Sequence, residues 1–159
     1  MIREVFVQSM QEHGGSVVNM TADFRNGMPG MGHSGAARAG MSNLTMSAAF
    51  EWAQAGVRVN AVAPGWVASS GMDSYGGAVK AMIPKLREHV PLRRLATEAE
   101  ISAAIVFLLS PGAAFITGVT LQIDGAASLG SPVFPTMEHE SSVAFEGFHR
   151  AQTPEALQP

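Results

Sequence analysis

The stretch "GMGHSGAARAGMSNL", residues 30–44, gathers side chains that could do chemistry in three different ways. Gly30, Gly32 and Gly35 stand at Gly-x-Gly-x-x-Gly spacing, Ser34 is the centre of Gly-x-Ser-x-Ala, and Arg38 follows Ser34 by four residues. A dinucleotide fingerprint needs its first glycine at the end of a strand, a helix N-terminus aimed at a pyrophosphate, and an acidic residue closing the next strand. Here the preceding β-branched run ends at Met20 and the next candidate strand ends in Ala63-Pro64-Gly65, so neither condition is met. A nucleophile elbow lifts its serine on a strained turn straight off a strand, and Ser34, Asp124 and His139 or His149 do follow the chain order of such a triad. The residues before Ser34, "NGMPGM", argue against it, because Pro29 has no amide to donate and the glycines weaken strand pairing. In the third reading Ser34 and Arg38 share one face of a helix, and His33 beside them is a side chain of the type used as a general base.

The elements that must position these side chains alternate in type. Ile2, Val5, Phe6, Ser9 and Met10 have helical spacing, and His13-Gly14-Gly15 supplies a stop. "SVVNM", residues 16–20, is too short for a helix and lacks strict alternation, which predicts a strand buried on both faces. An Ala- and Met-rich helix is predicted over residues 34–55, with Gly56 as its C′ residue, followed by a strand "VRVNAVAPG". Residues 69–96 are polar and Gly-interrupted, with one or two short helices, the composition of a mobile loop over a site. Thr97 and Glu100 form a capping-box pattern at the head of an amphipathic helix that runs to Pro111, and "VTLQIDGAAS" reads as a third strand. Strand, helix, strand, helix, strand makes βαβ units, hence an α/β class with a parallel sheet and helices on both faces. Residues 131–159 carry Pro132 and Pro135 around "VF" and no sustained period, and read as an irregular tail or interface arm.

Composition limits the function. Ten basic against thirteen acidic residues, without basic runs, exclude an electrostatic footprint for nucleic acid or an anionic membrane. The absence of cysteine removes disulfides, thiolate catalysis and zinc-cysteine sites, and no two histidines have ligand spacing, so no metal is expected. No apolar run reaches membrane-spanning length and the N-terminus lacks a signal-peptide pattern, so a cytoplasmic protein is expected.

Together, "GGSVVNM", "HSGAARAGMSNLTMSAAFEWAQAGVRVNAVAPGWVAS" and "TEAEISAAIVFLLSPGAAFITGVTLQIDGAAS" resemble the C-terminal half of a short-chain dehydrogenase/reductase. The wording is most similar to the branch that holds peroxisomal trans-2-enoyl-CoA reductase, 2,4-dienoyl-CoA reductase and bacterial citronellol/citronellal dehydrogenase homologues. The resemblance covers residues 1–130 and implies a Rossmann-like doubly wound parallel sheet, of which only the C-terminal half, about three strands with flanking helices, is here. It implies an adenosine- and pyrophosphate-binding half upstream of Met1, and therefore a chain that depends on that half or on a partner.

The resemblance also assigns roles. Ser34 and Arg38 fall where the family carries its Tyr and Lys, so the usual general acid is missing. Dienoyl-CoA reductases also have Ser at that place, with a different Tyr just after the preceding strand, but Phe24 stands there in this chain. The family's strand-end serine falls on Thr21 or Ala22, and only Thr21 keeps a hydroxyl. Cofactor contacts are implied for Asn19, Arg38, Pro64, Gly65, Trp66, Val67 and Ser69, and substrate-loop positions for Met72 and Tyr75. The implied cofactor is NADP or NAD, and the implied assembly is a dimer or tetramer packed through residues 1–13 and 34–55. An enoyl thioester needs donors for its developing enolate oxygen, which Ser34, Thr21 or His33 could supply, whereas alcohol oxidation needs a base, for which only His33 stands nearby. The expectation is therefore an NAD(P)(H)-dependent reductase of an enoyl-CoA-type substrate. The alternatives are a terpenoid alcohol or aldehyde (citronellol-type) dehydrogenase, a catalytically impaired fragment or structural subunit, and, less favoured, a serine hydrolase using Ser34.

Overall fold

The structure is a computed structural model that describes residues 1–130, 133–145, 147 and 153–158. Its elements are α1 (residues 2–13), β1 (Gly15–Met20), α2 (Gly32–Trp52), β2 (Val57–Pro64), β3 (Val67–Ala68), α3 (Gly77–Met82), β4 (Ala96–Thr97), α4 (Glu98–Leu109) and β5 (Thr120–Ile123). The chain divides into two compact units, Met1–Ala63 with Ala104–Gln122, and Pro64–Ala103 with Ile123–Pro159.

In the first unit, β1 runs parallel to β2 in the register Gly15↔Val57 through Met20↔Val62. Strand β5 lies on the other side of β2, so the sheet order is β1-β2-β5. The amide of Ala61 donates to the Val119 carbonyl at 2.8 Å and that of Gly118 to Val59 at 2.7 Å. This central place explains why β2 is almost wholly apolar: Val57, Val59, Ala61, Val62 and Ala63 are each 1 % exposed or less. Strand β1 departs from expectation, since its four inner residues are only half-buried. It lies at the sheet margin, and a marginal strand is covered by fewer neighbours.

The helices close over this strand. The Phe6 ring of α1 stacks on Trp52 at the end of α2, with centroids 4.3 Å apart and planes within 8°. Both pack with Ala48, Ala49, Val57 and Val59. Helix α2 starts two residues before the predicted boundary and tightens into a 3₁₀ turn at Ala53–Ala55. Gly56 follows in the left-handed conformation at φ 70°, as a C′ glycine should.

Two polar side chains on β2 fasten what surrounds it. Arg58 donates to the carbonyls of Leu108 at 2.7 Å, Ser110 at 3.1 Å and Leu109 at 3.3 Å, which end α4. Those last-turn carbonyls have no partner within their own helix, and a cation there also complements the helix dipole. Asn60, fully buried, donates to Ile116 O at 2.8 Å and accepts from Val119 N at 3.2 Å, which sets the start of β5.

In the second unit, β3 and β4 form a two-residue parallel pair, Val67↔Ala96 and Ala68↔Thr97, which no sequence signal announced. Helix α4 opens with the expected capping box: Thr97 Oγ1 accepts from Glu100 N at 3.2 Å, and Glu100 Oε2 accepts from Thr97 N at 2.9 Å. Residues 69–96, expected as a mobile loop, are folded into a turn at Ser70–Ser74, helix α3 and a 3₁₀ segment Ile83–His89. Met72, Ile83 and Leu95 give this segment a small core of its own. Among the described residues no helix is long and apolar enough to cross a membrane.

Replacing Arg58 by Met keeps the apolar stem and removes the donors. The expected loss is about 1.5–3 kcal/mol, the range for hydrogen bonds to a charged group, read as a lower denaturant midpoint with an unchanged slope.

Candidate functional site

In the first unit the candidate side chains come together at the C-terminal end of β1. Ser34 is the third residue of α2 and Arg38 lies one turn further along. Both are half-buried, while Ala36, Ala37 and Ala39 between and beyond them face solvent. The same face continues to Thr45, which is fully buried and accepts from Asn19 Nδ2 at 2.9 Å while donating to Met41 O at 2.8 Å. This tie between β1 and α2 aims the Ser34–Arg38 face at the strand end. There Arg38 Nη1 donates to the carbonyl of Thr21 at 3.4 Å. Thr21 is 3 % exposed, its amide bonded to Val62 O at 2.8 Å, and its hydroxyl donates to Ala22 O at 3.4 Å. Arg38 thus touches Thr21, Ser34 lies one turn before it on the same helical face, Asn19 is tied to that helix through Thr45, and His33 is exposed at the head of the helix. Neither Ser34 nor His33 caps α2, whose N-cap is Met31.

The second unit carries the remaining candidates. The Gly65 amide donates to Ile123 O at 3.0 Å, and a Cβ at Gly65 would stand 2.9 Å from Asp124 Cα, so only glycine permits this approach. Trp66 accepts from Ala96 N at 2.9 Å through its carbonyl, Val67 begins β3, and the Ser69 carbonyl accepts from Met72 N. Met72 is buried in the segment's core and Tyr75 is exposed. Trp66, Val90, Leu92, Ala96 and Ile123, with the charged Arg94 and Glu100, line a cavity of about 180 Å³. Arg94 grips both Glu100 oxygens, at 2.7 and 2.8 Å. Sequence spacing points Glu100 to the capping box alone, and the folded carboxylate serves both the box and this bidentate pair. Burial pushes the Glu100 carboxyl up, but hydrogen bonds from Arg94 and from the amides of Thr97 and Phe145 outweigh that and hold it below the ordinary carboxylate range.

The hydrolase alternative is corrected by this arrangement. Ser34 lies inside a helix, with residues 21–31 between it and β1, and not on a strand-to-helix elbow. Asp124 accepts from the amides of Ala126 at 2.9 Å and Ser128 at 3.1 Å, closing its own turn. His139 has both ring nitrogens engaged, Nε2 donating to Pro91 O at 2.8 Å and Nδ1 accepting from Ser141 N at 3.3 Å. His149 lies outside the described residues. Among the described residues no group of three His, Asp or Glu is placed to hold a metal ion.

Known proteins resemble this chain along most of its length. The sequence profile of the family described as Enoyl-(Acyl carrier protein) reductase matches residues 1–128. Peroxisomal 2,4-dienoyl-CoA reductase of Pongo abelii is 35% identical over 132 residues, which are 82% of this chain and 45% of that protein. The 3-oxoacyl-(acyl-carrier-protein) reductase of Staphylococcus epidermidis is 34% identical over 125 residues, 78% of this chain and 50% of that one. Among solved structures, the citronellol catabolism dehydrogenase AtuB of Pseudomonas aeruginosa PAO1 superposes with a TM-score of 0.68 at 63% identity, covering 80% of this chain and 48% of its own. The chain spans about half the length of the curated relatives it matches.

The depressed Glu100 carboxyl fixes the sign of an acid effect. Its contribution is complete above the ordinary glutamate pKa of about 4.3 and is lost as pH falls through the lower value it has when folded. Glu100→Gln is expected to lower stability at neutral pH by about 1–2 kcal/mol and to flatten the acid limb of stability against pH, measured by thermal unfolding between neutral and acidic buffers.

Proposed function

Because the chain belongs to the short-chain dehydrogenase/reductase family, we propose that it carries the nicotinamide and substrate end of an NAD(P)(H)-dependent oxidoreductase that reduces an enoyl-CoA-type thioester. The observation that carries this reading is the half-buried Arg38 guanidinium on the same helical face as Ser34, touching the strand end at Thr21. The donor set fits a cofactor ribose, since a guanidinium stays charged and its planar fork suits paired hydroxyls. When bound, the nicotinamide would supply the hydride for the β-carbon, and the α-carbon of the resulting enolate would take its proton from solvent. Ser34 and Thr21 donate to the oxygen on which negative charge develops, a role that requires donors fixed in advance and no base. Arg38 cannot shuttle a proton and holds the ribose instead. Asn19 acts from behind, through Thr45. Pro64, Gly65, Trp66, Val67 and Ser69 take the nicotinamide side, and Met72 and Tyr75 belong to the segment that covers substrate.

A second reading, oxidation or reduction of a terpenoid alcohol or aldehyde, is favoured by the 63% identity to the citronellol catabolism dehydrogenase. Under it, the exposed His33 would have to exchange the hydroxyl proton. The assembly proposed with either reading is a pair of copies joined through α2, whose outer face presents Leu44, Met46 and Phe50, the last 89% exposed.

A chimaera in which residues 1–128 replace the matching part of that dehydrogenase allows the site to be assayed in a full-length frame. Oxidation of NADH or NADPH with crotonyl-CoA is expected, falling about 10²-fold in kcat with Ser34→Ala. Arg38→Met should raise the cofactor KM about tenfold or more. Turnover of citronellal alone would select the second reading, and a folded, cofactor-binding chimaera silent with both would favour a structural subunit. Phe50→Glu is expected to shift the chain to monomer in analytical ultracentrifugation, because it puts an unpaired charge in an apolar contact.

A further inference from the structure

The family profile ends at residue 128, yet the described residues beyond it are bonded in detail to the segment that precedes α4. The first set of bonds centres on Arg93, whose backbone sits at φ 58°, a left-handed conformation costly for a residue with a side chain. Its guanidinium, 10% exposed, donates to Glu88 O at 2.7 Å within the segment and to Met137 O at 3.0 Å, Thr136 O at 3.2 Å and the Glu138 carboxylate beyond it. Thr136 Oγ1 returns a bond to Glu88 O at 2.8 Å. A strained residue persists only where its surroundings over-determine it, and here those surroundings join Val90 and Glu88 of the segment to Thr136, Met137 and Glu138 of the C-terminal residues.

The second set is independent of the first. Glu155 N donates to Asp73 Oδ1 at 2.9 Å, and its carboxylate pairs with Lys80 Nζ at 2.8 Å. Pro154 is fully buried, and Ala156 and Leu157 pack on Met72, Ile83 and Leu95. Each partner is held charged by the other, Lys80 raised and Glu155 lowered from their ordinary values by their hydrogen bond and mutual attraction.

We propose that residues 133–145 and 153–158 form a strap that fixes the position of residues 70–93, with Arg93 and Glu155 as its positioning residues. That this segment covers substrate rests on the reading above, whereas the strap itself does not. Its bonds end on both flanks of the segment, at Asp73 and Lys80 on one side and at Glu88 and Arg93 on the other, so the short helix and turns between them are held at two points. A glycine-interrupted segment with so small a core would otherwise open locally at low cost.

Hydrogen exchange followed by mass spectrometry on the full chain tests this. Arg93→Gln is expected to speed exchange of amides 77–89 about tenfold, and Glu155→Gln about threefold, since an exposed ion pair is weak. The charge swap Lys80→Glu with Glu155→Lys should restore the rate, which a merely structural role for either side chain would not. Exchange in β2 should stay unchanged in every variant. Unaltered exchange of residues 77–89 in both single variants, or an equal rise in β2, would overturn the strap. In the assayed enzyme carrying its own C-terminal residues, the variants should raise substrate KM more than they lower kcat. A rise in exchange without that split keeps the strap and overturns its role in covering substrate.

Discussion

Strand β2 is the constraint on which the first unit depends. It has neighbours along both edges, and α1 and α2 pack on it through Phe6, Ala48, Ala49 and Trp52, so its side chains must be small and branched and its polar groups must be fully satisfied. Burying five of its residues to 1% exposure or less leaves no slack for a misplaced neighbour. The two polar residues it does carry are used accordingly. Arg58 collects the orphan carbonyls at the end of α4, and Asn60 bridges Ile116 and Val119, so the loop into β5 is positioned from the central strand outwards.

That rigidity reaches the candidate site by a short route. The register of β1 on β2 places Thr21 opposite the end of the dry core, Asn19 two residues earlier binds the buried Thr45 of α2, and the face of α2 that begins at Ser34 is thereby turned to the strand end. The positions that would do chemistry are therefore set by groups that do none. A site built on a strand end and the first turns of a long helix keeps its donors oriented before any ligand arrives, which is the requirement for stabilising charge that develops only during reaction.

Local signals in the chain were legible where the physics is local. The Thr97–Glu100 box, Gly56 after α2 and the Gly14 stop after α1 each depend on residues within one turn of one another, and each stands where the spacing placed it. The Ser34–Arg38 pairing was legible for the same reason, as a four-residue helical spacing. What escaped was long-range: the β3–β4 pair joins residues about thirty apart, Arg58 meets carbonyls fifty residues away, and Arg94 takes the same carboxylate that caps α4. Strand β1 is half-buried because, among the described residues, β2 alone lies beside it, which a β-branched run does not reveal.

Order and type of the long helices and of the three strands of the main sheet, the parallel α/β class and the family resemblance were determined by the sequence alone, since hydrophobic period, caps and glycine punctuation act over a few residues. Only the tertiary structure decided that residues 69–96 are folded on a core of their own and that the residues after 128 are bonded to them through Arg93 and Glu155. A polar tail has no periodicity from which a docking site can be read. Its contacts run through backbone carbonyls, such as Glu88 O accepting from Thr136 of the tail and the tail's Phe145 O accepting from Thr97, which every sequence possesses and only a folded chain brings within reach.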